Sequence, residues 1–314
     1  MGKIGLVFPG QGSQFVGMGA DLCEQDATFR RVFARACDIL GDDILSLCLK
    51  GPKDRLDQTV NTQLAVLVFE IAAYEALRKR HGFTPAAIAG HSLGEYSALY
   101  AAGALGFKEV LTLVRARAKC HEEAVPQGLG AMAAVIGLTL DQMKVLVEDA
   151  SREGEPVDLA NINAPNQAVA SGHARAVERL MERARETGAR LVVRLPISVP
   201  CHSRLLAQAA ERFRKDLEQT CFMPFGSPVV PNCDPALLYS RDNAADLLAR
   251  QIVSPVRWQE TIERMARMGI STLLEIGPRK TLAGLIKNIR KDMRPVFAGD
   301  VPSVGACAEL LCPA

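Results

Sequence analysis

A serine set between glycines, Gly90-His91-Ser92-Leu93-Gly94, separates a short apolar run from a helical one. In a G-x-S-x-G pattern the small residues let the backbone take the sharp strand-to-helix turn that lifts a serine hydroxyl off a sheet edge. Ser92 is therefore the candidate nucleophile, with an ordinary turn as the alternative. The N–H of Leu93 can donate to an oxyanion forming at the same spot. A serine hydroxyl needs a base within hydrogen-bond reach. Of the five histidines, His81 follows Arg78-Lys79-Arg80 and His121 precedes Glu122-Glu123, so both read as solvated. His173 follows Ser171-Gly172 at a helix start and suits a cap or turn. His91, inside the elbow, suits support of the turn. That leaves His202, in Pro196-Ile197-Ser198-Val199-Pro200-Cys201-His202-Ser203, held between prolines and a helix start as loop bases are oriented. A structural histidine is the alternative. No acid stands out to complete a triad, so a Ser–His dyad oriented by a backbone carbonyl or an amide side chain is the economical arrangement. A glycine-rich turn, Phe8-Pro9-Gly10-Gln11-Gly12-Ser13-Gln14, follows the first apolar run. It fails as a dinucleotide fingerprint because Phe15 stands where the last glycine is required. It can instead bring the Gln11 N–H to the second corner of an oxyanion hole.

Such residues need a sheet and helices to hold them. Strand-like and helix-like runs alternate along most of the chain, which predicts α/β layers. Met1 to Pro9 reads as a first buried strand. Asn61 is expected to cap a helix with Leu64, Leu67, Val68 and Ile71 on one face. Ala86 to Gly90 reads as the strand before the elbow, with helices after it through Ala98, Leu99 and Ala102 and then from Phe107. Between Gly130 and Arg194 the pattern becomes βαββαβ: strand from Ala131, helix from Leu140 behind a Thr139/Gln142 capping-box pattern, strands from Val157 and Ala168, helix from Ala174, strand from Arg190. That order fits a ferredoxin-like split βαβ inserted in a larger α/β unit. The expected organisation is a large catalytic domain of residues 1–128 and 196–314 and a small domain of residues 129–195. After the insert, Ser203 is expected to cap a helix, and Ser254 and Pro255 to open another as cap and first helical residue. Gly277-Pro278 should stop the strand Thr272 to Ile276 before a helix with Leu282, Leu285, Ile286 and Ile289.

The whole composition agrees with a globular α/β chain: 314 residues, 48% apolar and 23% charged, enough for a full core and unlike a disordered or disulfide-scaffold sequence. The 37 basic against 35 acidic residues, a net charge of +2, give no bulk field for nucleic acid. No uninterrupted apolar stretch reaches the roughly 18 residues needed to span a bilayer, so neither nucleic acid nor membrane is expected as a partner, and the cytoplasm is the expected location. Nine scattered cysteines, without a Cys-x-x-Cys pair or histidines at metal spacing, are expected to be reduced and mostly buried, with no metal site.

Taken together, Gly10-Gln11-Gly12-Ser13-Gln14, Gly90-His91-Ser92-Leu93-Gly94-Glu95, Arg117, Gly130-Ala131-Met132-Ala133-Ala134, Pro200-Cys201-His202, Gln251 and Glu275-Ile276-Gly277-Pro278 closely resemble the malonyl-CoA:acyl-carrier-protein transacylases of bacterial type II fatty acid synthesis. The resemblance runs from the first strand to about residue 290, in the family's order and spacing. It implies an α/β-hydrolase-like core with a ferredoxin-like insert. It further implies Ser92 as the acylated nucleophile, His202 as its base, and the amides of Gln11 and Leu93 as the oxyanion hole. Arg117 would pair with the free malonyl carboxylate, and Gln251 would help hold the histidine. By spacing alone Arg117, sharing a helix with Lys108, Arg115 and Lys119, would more often face solvent. One departure is Cys201 before the histidine, with Ser203 after it, where serine commonly precedes.

The activity implied is ping-pong transfer of malonyl from malonyl-CoA to the phosphopantetheine thiol of an acidic, transiently bound acyl carrier protein, by a monomer with no permanently bound cofactor. The alternatives are a trans-acting malonyl or methylmalonyl acyltransferase of a polyketide synthase and a serine thioesterase or hydrolase. Because the chain is nearly neutral, carrier docking must use clustered charge. The candidate clusters are Arg183, Arg185, Arg190 and Arg194 in the small domain, and Lys287, Arg290 and Lys291 on a late helix.

Overall fold

The protein, described from a computed structural model, is covered over residues 3–126 and 128–311. Met1, Gly2 and Cys312, which enter the expectations above, lie outside the described residues. Near-continuous apolar runs make β1 (Lys3–Phe8), β2 (Ala87–Gly90) and β8 (Ile270–Ile276), as strands covered on both faces require. With β7 (Val229–Val230) and β9 (Arg294–Ala298) they form a parallel sheet in the order β7-β2-β1-β8-β9. Helices cover both faces of this α/β core. The Thr59–His81 helix is apolar on nearly every side and runs through the interior. By length and composition alone it could cross a membrane, but 83% of its most apolar window is buried inside the protein, as a core helix is.

The second sheet is antiparallel and comes from one continuous segment: β3 (Gly130–Ile136), β4 (Val157–Ala164), β5 (Gln167–His173) and β6 (Leu191–Arg194), in the order β4-β5-β3-β6. Two helices, Leu140–Ala150 and Ala174–Glu186, pack on one face around Val135, Met143, Leu146, Val177 and Leu180. This is the ferredoxin-like βαββαβ unit. The Thr139/Gln142 capping box forms, and His173 caps the second helix by accepting from the Arg175 N–H at 3.3 Å. The segment leaves and rejoins the core at one place. A Cβ on Gly130 would lie 2.4 Å from Pro200 Cδ and 2.7 Å from the Ser198 carbonyl oxygen, so only glycine lets the two crossings pass.

Two helix starts differ from expectation. The helix expected at Asn61 begins at Thr59, and the Asn61 amide instead donates back to the Arg55 carbonyl at 2.8 Å. Ser254 and Pro255 stay outside the Trp258–Arg267 helix. There Val256 is used as a bridge: its N–H donates to Ala160 O and its carbonyl accepts from the Ile162 N–H, tying this stretch to β4. Ser203 does cap its first turn, accepting from the Leu205 N–H. Of the described cysteines, all free, Cys23, Cys48, Cys201, Cys233 and Cys307 are buried and Cys221 is exposed.

Candidate active site

The elbow is built from glycines that nothing larger could replace. A Cβ on Gly90 would lie 1.9 Å from the Gly94 carbonyl carbon, and one on Gly94 would lie 2.2 Å from the Phe8 carbonyl oxygen. Between them Ser92 sits at φ 54°, left-handed backbone that is uncommon outside glycine. Strain of this kind persists only where its surroundings hold it. Here the His91 N–H donates to Phe8 O at 2.8 Å and the Ser92 N–H to Asn232 Oδ1 at 2.7 Å. The Asn232 amide in turn donates to Gly90 O at 2.6 Å. His91 supports the turn from below, donating from Nε2 to Asn163 Oδ1 at 2.9 Å and meeting Trp258 edge-on.

His202 approaches from the strap that follows the second sheet, also with positive φ, 61°. Its Nε2 lies 2.7 Å from Ser92 Oγ. Its Nδ1 faces two carbonyl oxygens, Gln251 at 2.9 Å and Ser254 at 3.1 Å. Because carbonyls only accept, the proton sits on Nδ1 and the Nε2 lone pair is turned to the serine. The missing acid is thus replaced by main-chain oxygens, and Ser254 serves the site through its carbonyl rather than as a helix cap. Burial first, and then the charge of Arg117, push His202 down to about 3, so the imidazole rests neutral.

Arg117 is not on a solvated face. In the Phe107–Glu122 helix it falls on the buried stripe with Val110, Val114 and His121, and it is 2% exposed. Its guanidinium meets only neutral acceptors: Nη1 donates to Gln63 Oε1 at 2.7 Å, and Nη2 to Gln251 Oε1 at 3.1 Å and Ser92 Oγ at 3.3 Å. Tyr96 lies beneath it, 5.6 Å from ring centre to guanidinium carbon. Among the described residues no carboxylate pairs with it directly. The nearest balancing charge is Glu95, fully buried, which accepts from the Asn232 N–H, the Tyr239 hydroxyl and the Gln251 amide. Burial raises Glu95 to about 7 against the pull of those donors and of Arg117. The expectation that His121 is solvated is also overturned. It is buried in contact with Cys201, Sγ to Nδ1 3.8 Å, and burial together with Arg117 holds its pKa well down.

These groups meet at a cavity of about 90 Å³ whose lining includes Gln11, Ser92, Leu93, Arg117, Met132, Asn161, Cys201 and His202. The glycine loop abuts the elbow closely, since a Cβ on Gly10 would lie 2.6 Å from His91 O and 3.7 Å from Leu93 N. Gln11 and Ile197 also border two wider clefts, of about 400 and 680 Å³, that lead away from it. Burial raises the Cys201 thiol to about 11, leaving it protonated and inert. Among the described residues no group of three His, Cys, Asp or Glu side chains is arranged to hold a metal ion.

The structure therefore brings Ser92, His202, Gln11, Leu93 and Arg117 around one cavity, with Gln251 behind them, its carbonyl on the histidine and its amide on Arg117 and Ser92. Sequence reasoning had no role for Gln63 or Asn232, because neutral amides leave no pattern of charge or period. The stripe Val110, Val114, Arg117, His121 was the signal available for a buried arginine. Residues 6–303 match the acyl transferase domain family. The chain is 40% identical over 311 residues to the malonyl CoA-acyl carrier protein transacylase of Bacillus subtilis (strain 168), covering 99% of this chain and 98% of the relative. It is similar to the crystal structure of an acyl carrier protein S-malonyltransferase from Vibrio cholerae, with TM-score 0.92 and 43% identity over 97% of this chain and 99% of that one. It is also similar to a malonyl-transacylase solved in complex with a type II PKS acyl-carrier protein, with TM-score 0.95 and 38% identity over 98% of each chain.

Proposed function

The chain belongs to the acyl transferase domain family, and from that premise we propose that it moves malonyl from malonyl-CoA to the phosphopantetheine thiol of holo-acyl carrier protein through an ester on Ser92. The observation that carries this reading is Arg117: a buried cation, turned to the cavity of the reactive serine, with neutral partners only. Buried charges are paired. A donor with a free carboxylate supplies the missing anion, and a guanidinium can grip it with two parallel hydrogen bonds. A generic esterase or thioesterase has no use for such a cation.

The steps follow from the geometry. His202 Nε2 takes the Ser92 proton as Oγ attacks the thioester carbonyl. The N–H groups of Gln11 and Leu93 receive the oxyanion. The tetrahedral adduct collapses, the C–S bond breaks, and the imidazolium returns its proton to the CoA thiolate. In the second half the carrier's thiol gives its proton to His202 and attacks the ester, and Ser92 leaves with that proton. The carrier docks on a groove of about 460 Å³ that Arg190 of the small domain and Asn288 of the late helix line together. Arg183, Arg194 and Arg290 are engaged with Asp149, Glu178 and Asp292 and contribute less. A polyketide carrier is the second reading, favoured by the likeness to a transacylase bound to one. Action in the cytoplasm, as a monomer and without a resident cofactor, completes the proposal.

The test is to incubate the protein with malonyl-CoA and map the adduct by peptide mass spectrometry. The malonyl increment should fall on the Ser92 peptide and vanish in Ser92→Ala. An adduct elsewhere, or one surviving that change, removes the assignment. Wild-type protein should then discharge the label to holo-carrier rather than to water.

A further inference from the structure

We propose that Glu95 is a positioning residue for donor selection: its carboxylate dictates which way round the Gln251 amide stands, and that amide holds the Arg117 guanidinium toward the acyl cavity. The inference rests on the reading of Arg117 as the site of the donor's carboxylate. Glu95 lies three residues after Ser92, in the first turn of the Gly94–Ala101 helix, and is fully buried. Every group facing its oxygens is a donor: the Asn232 N–H at 2.6 Å and the Tyr239 hydroxyl at 3.2 Å on Oε1, and Gln251 Nε2 on Oε2.

Above its raised titration range of about 7 the Glu95 carboxylate only accepts, and a guanidinium only donates. An amide bridging the two has one orientation that satisfies both, with its NH₂ toward the carboxylate and its oxygen toward the guanidinium. Gln251 stands this way. Its Nε2 reaches Glu95 and also Ser92 O at 2.9 Å, while its Oε1 takes Arg117 Nη2 at 3.1 Å. Gln63 holds the other arm of the fork. The cation is thereby fixed without a carboxylate touching it, and its balancing charge sits one amide away. A direct ion pair would have occupied the donors that the substrate needs.

The near-isosteric change Glu95→Gln should break this chain of orientation. The new amide must keep its oxygen on the Asn232 N–H, which can only donate, so its NH₂ meets the NH₂ of Gln251. If Gln251 turns over to relieve that contact, it presents NH₂ to Arg117, donor against donor. The guanidinium is then displaced, while Ser92, still braced by Asn232, and His202, held by main-chain carbonyls, keep their places.

The experiment measures kcat/KM for enzyme acylation by malonyl-CoA and by acetyl-CoA in wild type, Arg117→Ala, Glu95→Gln, Gln251→Met and the double variant, with thermal melts alongside. Glu95→Gln and Gln251→Met should each lower the malonyl value about tenfold or more while acetyl falls far less, and the double variant should lose no more than the worse single one, as expected of residues acting through one chain of contacts. If Glu95→Gln does not fold, Gln251→Met alone still reads the selectivity. Equal losses for both donors in these variants, with Arg117→Ala still exchanging preference, would overturn the proposal. If Arg117→Ala leaves the preference unchanged, the reading of Arg117 itself falls instead.

Discussion

In the proposed mechanism His202 acts as a base while burial and the Arg117 charge both lower its affinity for a proton. A donor whose carboxylate neutralises Arg117 removes the second of these forces at the moment the base is needed. The acid limb of kcat for acylation should therefore lie below the free-imidazole value of about 6.5, and lie higher with malonyl-CoA than with acetyl-CoA. Rapid-quench acylation across pH checks both. Stability carries the same signature: His91, His121 and His202 all have lowered pKa values in the fold. The unfolded chain takes up protons there that the native protein refuses, so these groups lose stability as pH falls through about 6.5. Glu95, raised to about 7, works the other way. In urea titrations at pH 7 and pH 5, His121→Gln should lessen the acid-side loss. His202→Ala should slow acylation by about 10²–10⁴-fold, the usual cost of losing a general base. How far such roles could be read from sequence varied with the residue. Ser92 announces itself through its glycines, and His202 through elimination and its prolines. Arg117 could be drawn only by setting its charge aside and following the helix period.

Among the elements, the elbow and the glycine loop act as one unit, because Gly10, Gly90 and Gly94 each let main chain pass main chain. Gly94→Ala would drive a methyl into the carbonyl oxygen of Phe8, and crowding of this kind usually costs about 1–3 kcal/mol, occasionally more. The expected result is a lower denaturation midpoint together with loss of acylation, since the same shift tilts Ser92. A midpoint unchanged from wild type would show that the elbow has slack. In the first sheet β1, β2 and β8 are legible as apolar runs, whereas β7, only two residues long, and β9, which opens on Arg294 and Pro295, leave no such signal; the βαββαβ order reads off the sequence because each of its elements carries its own period and caps. The Ser254-Pro255 start was misread because local cap chemistry could not reveal that β4 and His202 both claim that stretch of backbone. Asn61 misled for a related reason: its amide had a better acceptor behind it than ahead.

For the whole molecule, the proposed docking of an acidic carrier on a nearly neutral chain needs gathered charge, and the groove that Arg190 lines with Asn288 of the Leu282–Ile289 helix is the surface proposed for it. Transfer to carrier should weaken as ionic strength rises, while acylation by malonyl-CoA stays nearly flat, because surface charges are screened beyond about 8–10 Å at 0.1–0.15 M salt. Arg190→Glu should raise the KM for carrier alone, and equal salt sensitivity of the two half-reactions would remove this surface.

The chain passes between its two sheets at a single point, where Gly130 slips under Ser198 and Pro200. Met132 and Asn161 of the second sheet roof the acyl cavity, and His202 follows directly from the returning crossing. That roof is fastened to the core a second time, by the Val256 bridge at Asn161 and the His91–Asn163 hydrogen bond. A span held at both abutments keeps its clearance, so hydrogen exchange should find the β4 amides as well protected as those of β1.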